Sequence, residues 1–530
     1  MSRRAPVRPA SSASERIVLA CGLGITAVFI VSLFGKPVYG VPVLLAPVAW
    51  AMARNLNRDA TAVLSLYVVL LILVPSVLIF DPLGASGTPA NVLGILMLWW
   101  WWHSRSVPGL GVARGPSPVR YAMYGLMAAI VASYALLAFR PVLSEEVSAA
   151  DRGILFLLGC AGITLLACDG IDSRERLNAL LSRLVGAVTV LASIGILQWI
   201  TGFDVNDYLK IPGLKQNQQL QDLVQRSSFN RVAGTAAHPI EFGVVLAMVL
   251  PIAVHFALHS SGWARRRWWV AVTLICIGIP MSLSRSALVA VVVASLVIMP
   301  TWPRRWILRA LGLLAAFMLA IQIAIPGLLD ALYTLFSKFG EDPSTTSRTQ
   351  DYSVFLRLFS ERPLLGRGFF TFLPDIYTTF DNEYLVILVE VGVVGLLALL
   401  VLFVSGMGAG RKARHASHDP VTRHLGQTLA GSIAAGAIAF GTFDAFSFPM
   451  AAGTTFLIIG CAGALRRLTL EANPVVRAEV DDDPPVEPDG DRDRDRDRDR
   501  DRGKRRWRHR RAKVALDVPA DVPAYWSKRP

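Results

Sequence analysis

Long apolar runs recur along the chain, parted by short polar connections. They fall near 17–34, 38–53, 60–80, 90–102, 119–139, 153–168, 178–201, 238–258, 268–283, 286–300, 307–325, 382–404, 425–443 and 449–465. Each approaches the roughly 20 residues that a helix needs to cross a bilayer. The pattern predicts an all-α fold, a polytopic integral membrane helix bundle of about 12–14 transmembrane helices. Two connections exceed a turn, 202–237 and 326–381, and loops of that length inside a compact protein gather function. The expected organisation is therefore a cytoplasmic N-terminus (1–16), N-terminal transmembrane helices (17–201), an external loop (202–237) and central helices (238–325). A large external loop subdomain with short helices (326–381), C-terminal helices (382–465) and a disordered charged tail (466–530) follow.

Composition agrees: 53% of residues are hydrophobic and 17% charged, which excludes an ordinary soluble enzyme. The five cysteines lie in or at the ends of apolar runs, placed for neither a zinc site nor an external disulfide framework. The net charge of +14 does not point to nucleic acid, because the tail after Arg467 is nearly balanced, with 16 basic against 15 acidic residues. The excess sits in alternate connections. Arg54 and Arg58, Arg105 to Arg120, Arg174 to Arg183, Arg265 to Arg267, Arg304 to Arg309 and Arg411 to Arg423 mark every second one, while the short connections between them are poor in net positive charge. By the positive-inside rule both termini are cytoplasmic. No cleavable signal peptide is expected, since the basic N-terminus lacks a short apolar core with a cleavage site.

The stretch 268–300 must cross twice, since both flanks are basic, and the turn between its arms holds Ser282, Ser284, Arg285 and Ser286. Arms of about 15 residues reach only ~22 Å, so the turn should lie below the outer surface. A guanidinium there either faces a polar cavity or an anion, or snorkels to the headgroups. In the second long loop, Ser347 and Gln350 have capping-box spacing. Tyr352, Phe355, Leu356 and Phe359 then predict an amphipathic helix along the membrane face, ending at Pro363 and carrying Arg348 and Arg357. In the first, Arg231 and His238 stand at the mouth of a helix, His238 as a cap or a substrate contact, and Glu241 is placed to pair with a nearby arginine. Asp381, before Asn382-Glu383-Tyr384, suits an N-cap or a base beside a polyanion. Gly392 and Gly395 suggest close helix packing.

Four segments in this order resemble the membrane glycan transferase family of O-antigen ligases and O-antigen polymerases. They are Arg231-Val-Ala-Gly-Thr-Ala-Ala-His238-Pro239, Ser284-Arg285-Ser286-Ala287, Ser347-Arg348 with Pro363-Leu-Leu-Gly366-Arg367-Gly368-Phe369, and Asp381-Asn382-Glu383-Tyr384-Leu385 with Glu390, Gly392 and Gly395. The resemblance covers roughly 200–405. It implies surface polysaccharide biosynthesis in the cytoplasmic (inner) membrane: a glycan is transferred from a polyprenyl-diphosphate carrier to an acceptor hydroxyl of a glycan or lipid at the outer face. The implied chemistry inverts the anomeric centre and needs no metal or other cofactor. Arg285 and Arg348 would clamp the diphosphate; Asp381, where ligases commonly have histidine, would either serve as base or only orient the acceptor. That departure tilts the expectation from a lipid A core ligase toward a polymerase-like or other surface-glycan transferase. Arg231, His238, Arg357, Arg367, Asn382 and Tyr384 would contact substrate. Membrane lipids and glycan-assembly proteins are the other expected partners, and no nucleic acid is expected.

The tail's six Asp-Arg pairs from Asp491 to Arg502 and its basic block from Lys504 to Arg511 cannot bury a core and suit contact with anionic lipid or simple solvation. The rival reading is a transporter or flippase of lipid-linked sugars. Against it, the chain has no internal repeat and its polar residues gather at one face. A scaffold of a glycan-assembly complex is a third reading.

Overall fold

The computed structural model describes residues 60–472 apart from 107–111, 114, 203, 205, 207–210, 212, 218–230, 326, 329–332, 334–353 and 379. The first two apolar segments, the terminal tail and Arg348 lie outside the described residues. The helices are α1 (Ala60–Leu73), α2 (Pro89–Ser106), α3 (Pro118–Ala135), α4 (Ser144–Gly170), α5 (Arg174–Thr201), α6 (Pro239–His259) and α7 (Gly262–Met281). They continue with α8 (Arg285–Ile298), α9 (Arg304–Ala324), α10 (Glu383–Glu390), α11 (Gly392–Ala416), α12 (Pro420–Phe440) and α13 (Pro449–Glu471). A two-residue antiparallel pairing, Leu78–Ile79 with Lys215–Gln216, joins the connection after α1 to the loop after α5. This is the all-α membrane bundle the apolar runs predict. Among the described residues, seven helices are long and apolar enough to cross a membrane: α3 with its following turn, α4, α5, α6, α9, α11 and α13.

Every apolar run within the described residues becomes a helix, but most helices outrun their apolar cores. α4 begins at Ser144, nine residues before the apolar run, because Glu146 accepts the Leu143 amide and closes the first turn. α7 takes in Arg265 to Arg267 and reaches 20 residues, about 30 Å. Only the second arm of the expected hairpin is short: α8 has 14 residues, about 21 Å. The arms also diverge. α6 packs against both of them, and α8 lies mainly on α12.

α4, α6, α12 and α13 form the interior, with Leu246, Met248, Leu429, Leu457 and Ile458 fully buried. Lipid-like surroundings give no hydrophobic drive between helices, so close approach of backbones does the packing. Gly94 of α2 and Gly162 of α4 meet so closely that a Cβ on Gly162 would overlap the Gly94 carbonyl. α9 stands at the other extreme, with only Ile321 buried.

The connections sort to two ends. At one, Asp169 is buried and accepts from Arg120 (2.7 Å) and the Trp101 indole (3.1 Å), with Arg105 3.7 Å away. Among the described residues, Arg174, Trp302, Arg414 and Arg467 of or beside the basic connections also meet partners there. At the other end the 74–80, 140–143, 231–238, 282–284, 362–382 and 441–448 segments are hydrogen-bonded or packed together.

Candidate functional site

The site-bearing end is organised around the first turn of α6. His238 is its N-cap, and Nδ1 accepts the Ile240 amide at 3.1 Å. That bond leaves the ring proton on Nε2. Burial, and then the Arg231 charge, push the His238 pKa down to about 4. Arg231 itself is half-buried. The chain between them is pinned by Gln198, whose Oε1 accepts the Ala233 and Gly234 amides at 3.1 and 2.9 Å.

Glu241 is fully buried, but no arginine partners it among the described residues. One oxygen accepts the Ala237 amide (2.8 Å) and the Ser76 hydroxyl (3.3 Å), the other the Met450 and Ala451 amides (2.6 and 3.2 Å). A carboxylate at the exposed amides of α13's first turn is favoured by the helix dipole. It therefore acts as a three-way clip between α1's end, α6 and α13.

Arg285 opens α8, and Ser284 caps that helix by accepting the Ala287 amide. Leu283 just before it has φ +46, the left-handed backbone that makes the turn tight. The turn lies directly on α6, because Gly243 faces the Ser282 hydroxyl and the Ala287 methyl, leaving no room for a Cβ. Arg285 is thus held half-buried at the level of α6's first two turns.

The third element is the 362–382 segment. The expected amphipathic helix spans 354–361 within the described residues. It packs on its own loop: Leu358 and Phe355 join Phe372, Phe380 and Val389, while Leu356 is exposed. Pro363 to Gly368 is zipped to the break between α10 and α11 by main-chain bonds. The Arg367 and Gly368 amides donate to the Val389 and Glu390 carbonyls at 3.0 and 2.8 Å, and the Val393 and Val394 amides donate to those of Pro363 and Leu364 at 2.9 and 3.2 Å. Gly366 (φ +66) and Gly392 (φ +72) adopt left-handed backbone there, and a Cβ on either would overlap the opposite main chain. The apolar segment 382–404 is therefore two helices, and Gly392 serves backbone contact with the loop rather than helix packing.

Asp381 is exposed just before α10, and Asn382 caps α10 by accepting the Tyr384 amide at 3.0 Å. Glu383 is buried. Its amide donates to the Phe443 carbonyl (3.2 Å) and its carboxylate accepts the Phe446 amide (2.9 Å). These bonds bring Asp381 within charge range of Asp444, in the α12–α13 connection. Burial, opposed by a Ser447 hydrogen bond and aided by the Asp381 charge, pushes the Asp444 pKa up to about 7. The same connection ends at Phe448, whose ring stands 5.8 Å from that of His238.

The α12–α13 connection thus bridges the histidine and the aspartate motifs. It entered the sequence reading only as a short external connection. Asp444 is a candidate that reading missed; its one signal is a lone carboxylate in Phe443-Asp-Ala-Phe-Ser-Phe448.

Other expected contacts lie elsewhere. Arg367 bonds Glu361 (2.7 Å) and the Tyr377 hydroxyl (3.0 Å), which donates to Glu146 (2.9 Å), itself paired with Arg140 (3.0 Å). Burial, and then the bond to Glu146, raise the Tyr377 pKa. This network ties the loop to the α3–α4 connection. The Tyr384 hydroxyl donates to the Ala437 carbonyl, inside the bundle. Arg357 is exposed on the 354–361 helix. His238 with Arg231, the turn that carries Arg285, and Asp381 with Asp444 thus all lie at this one end of the bundle.

No curated protein matches the chain. Residues 269–400 match the family model described as O-Antigen ligase. The match takes in the α7–α8 turn, α9, the long loop, α10 and the start of α11, and leaves the Arg231–His238 segment outside it. The stretch 269–400 is thus similar to the O-antigen ligases, in a multi-pass membrane protein.

Proposed function

We propose that this O-antigen ligase-like protein transfers a glycan from a polyprenyl diphosphate to an acceptor hydroxyl at the outer face of the cytoplasmic membrane, with its basic end cytoplasmic. One observation carries the reading: Asp381 and Asp444 on one side and His238 on the other are joined by the same α12–α13 connection. The turn that carries Arg285 is packed, through Ser282 and Ala287, against the helix His238 caps.

In the reaction the acceptor oxygen forms its bond to the anomeric carbon as the carbon–oxygen bond to the diphosphate breaks, with its electron pair leaving on the phosphate oxygen. Attack from the opposite face inverts the centre. Asp381 takes the acceptor proton. The leaving diphosphate is already anionic and needs positive charge more than a proton, so Arg285, together with Arg348, stabilises it by charge-assisted hydrogen bonds. His238 is neutral at physiological pH and its Nδ1 is occupied, so it contributes an Nε2–H donor to a phosphate or sugar oxygen and no base. Arg231 adds charge beside it. Arg357 is the loop cation left facing outward. Arg367, Asn382 and Tyr384 position the loop and the Asp381 cap through the bonds described above.

The test is turnover of a polyprenyl-diphosphate glycan by purified protein, read as released lipid diphosphate. Asp381→Ala and Arg285→Ala should each lose turnover at unchanged membrane expression. Translocation of the carrier without cleavage would indicate a flippase, and undiminished turnover in both variants would remove the proposed site.

A further inference from the structure

The end of the bundle opposite this site holds a cluster that transfer does not use. α6 ends on His259, one turn beyond His255, and His424 lies one turn into α12. Ring centroids are 4.7 Å apart for His255 and His259, 5.1 Å for His255 and His424, and 4.7 Å for His259 and His424. One ring nitrogen from each lies within 4.8 Å of the other two. We infer that His255, His259 and His424 form a binding site for a divalent transition metal ion of the zinc class.

The donor set suits that ion. Two histidines four apart on one helix and a third from its neighbour supply three imidazole nitrogens, which tetrahedral zinc takes at about 2.0–2.1 Å with a fourth position for water. Nitrogens in such a shell stand roughly 3.3 Å apart, so the Nδ1 atoms of His255 and His424, now 2.9 Å apart, need open only slightly. His259 is already oriented: Nδ1 lies 3.0 Å from the His255 carbonyl, which fixes the proton there and leaves Nε2 as a lone pair. The negative end of the α6 dipole falls at His259 and favours a cation.

Charge nearby opposes it. Arg174 and Arg414 lie within charge range of the rings, and Asp419, which caps α12, offsets part of Arg174. Affinity must therefore come from the imidazoles. The Trp302 indole supplies a built-in reporter. Its N–H donates to His424 Nε2 at 3.0 Å, which leaves the His424 proton on Nδ1, toward His255. A metal bound through either nitrogen of His424 displaces that proton or the indole. An occupied site would clip the end of α6 to the start of α12 and release Trp302.

Full-length untagged protein, stripped with chelator in detergent, is titrated with Zn2+ and, for its visible spectrum, Co2+, following binding and tryptophan emission. One equivalent per chain is expected. Affinity should fall about 100-fold or more in His255→Ala, His259→Ala and His424→Ala and stay unchanged in His415→Ala with His418→Ala, which are exposed. Trp302→Phe should abolish the emission change yet still bind zinc. His259 is half-buried at a helix end, so that variant keeps the test usable if His424→Ala misfolds. A thermal midpoint raised by zinc in the parent and not in His259→Ala is a second supporting result. Absence of stoichiometric binding, or binding that survives His259→Ala, overturns the site.

Discussion

Asp381 and Asp444 differ in what their surroundings allow. Asp381 is exposed, whereas Asp444 is drawn into the protein and held near pKa 7 by burial and by its neighbour's charge. We expect Asp381→Asn to lower kcat by about 10²–10⁴-fold, the range for loss of a general base, measured as lipid diphosphate release. For Asp444 the sign follows from charge. As pH rises through about 7 the group ionises and adds a negative charge beside an anionic donor, so donor KM should rise, and Asp444→Asn should flatten that rise. Its folded pKa lies above the unfolded value of about 3.9. The proton it retains therefore stabilises the fold at low pH, and that contribution is lost as pH climbs from about 4 to about 7. The same variant should then melt higher than the parent at pH 8. Asp381, Arg285 and His238 stand out as candidates because each interrupts or abuts an apolar run. Asp444 and the true partners of Glu241 were not, because their roles depend on residues more than 60 and 200 positions away.

At the scale of elements, hydrophobic runs located the helices well because burial in lipid and burial in protein both demand apolar side chains. Boundaries were less legible, since polar first turns such as Ser144 to Asp151 continue a helix without any apolar signal. The α10–α11 break was illegible for a different reason: it answers to main-chain atoms of a distant loop. Substituting Gly366 or Gly392 by alanine forces a side chain into left-handed backbone and into the facing strand of the zipper. A loss of about 1–3 kcal/mol is expected, read as a lower unfolding midpoint in detergent and faster proteolysis after Arg362. Tyr377→Phe removes two hydrogen bonds, to Glu146 and from Arg367, and should cost about 2 kcal/mol, whereas Glu146→Ala also takes the carboxylate from Arg140 and should cost about 3 kcal/mol.

For the whole molecule, alternation of basic and neutral connections sorts the loops into two groups, an expectation about which side of the membrane each faces. Sidedness can be tested directly. In a background without Cys21 and Cys276, Ser447→Cys should react with a membrane-impermeant maleimide on intact cells, and His418→Cys only after lysis; both positions are exposed. Sequence could not show that α9 would bury so little against the other described residues, because a lipid-facing and a protein-facing apolar helix look alike in composition. The main-chain zipper from Pro363 to Val394 has a wider consequence. A seat written in amides and carbonyls does not care which side chains hang from it. Substitutions at exposed Leu364 should therefore change what the loop presents while the two glycines keep it registered to the bundle.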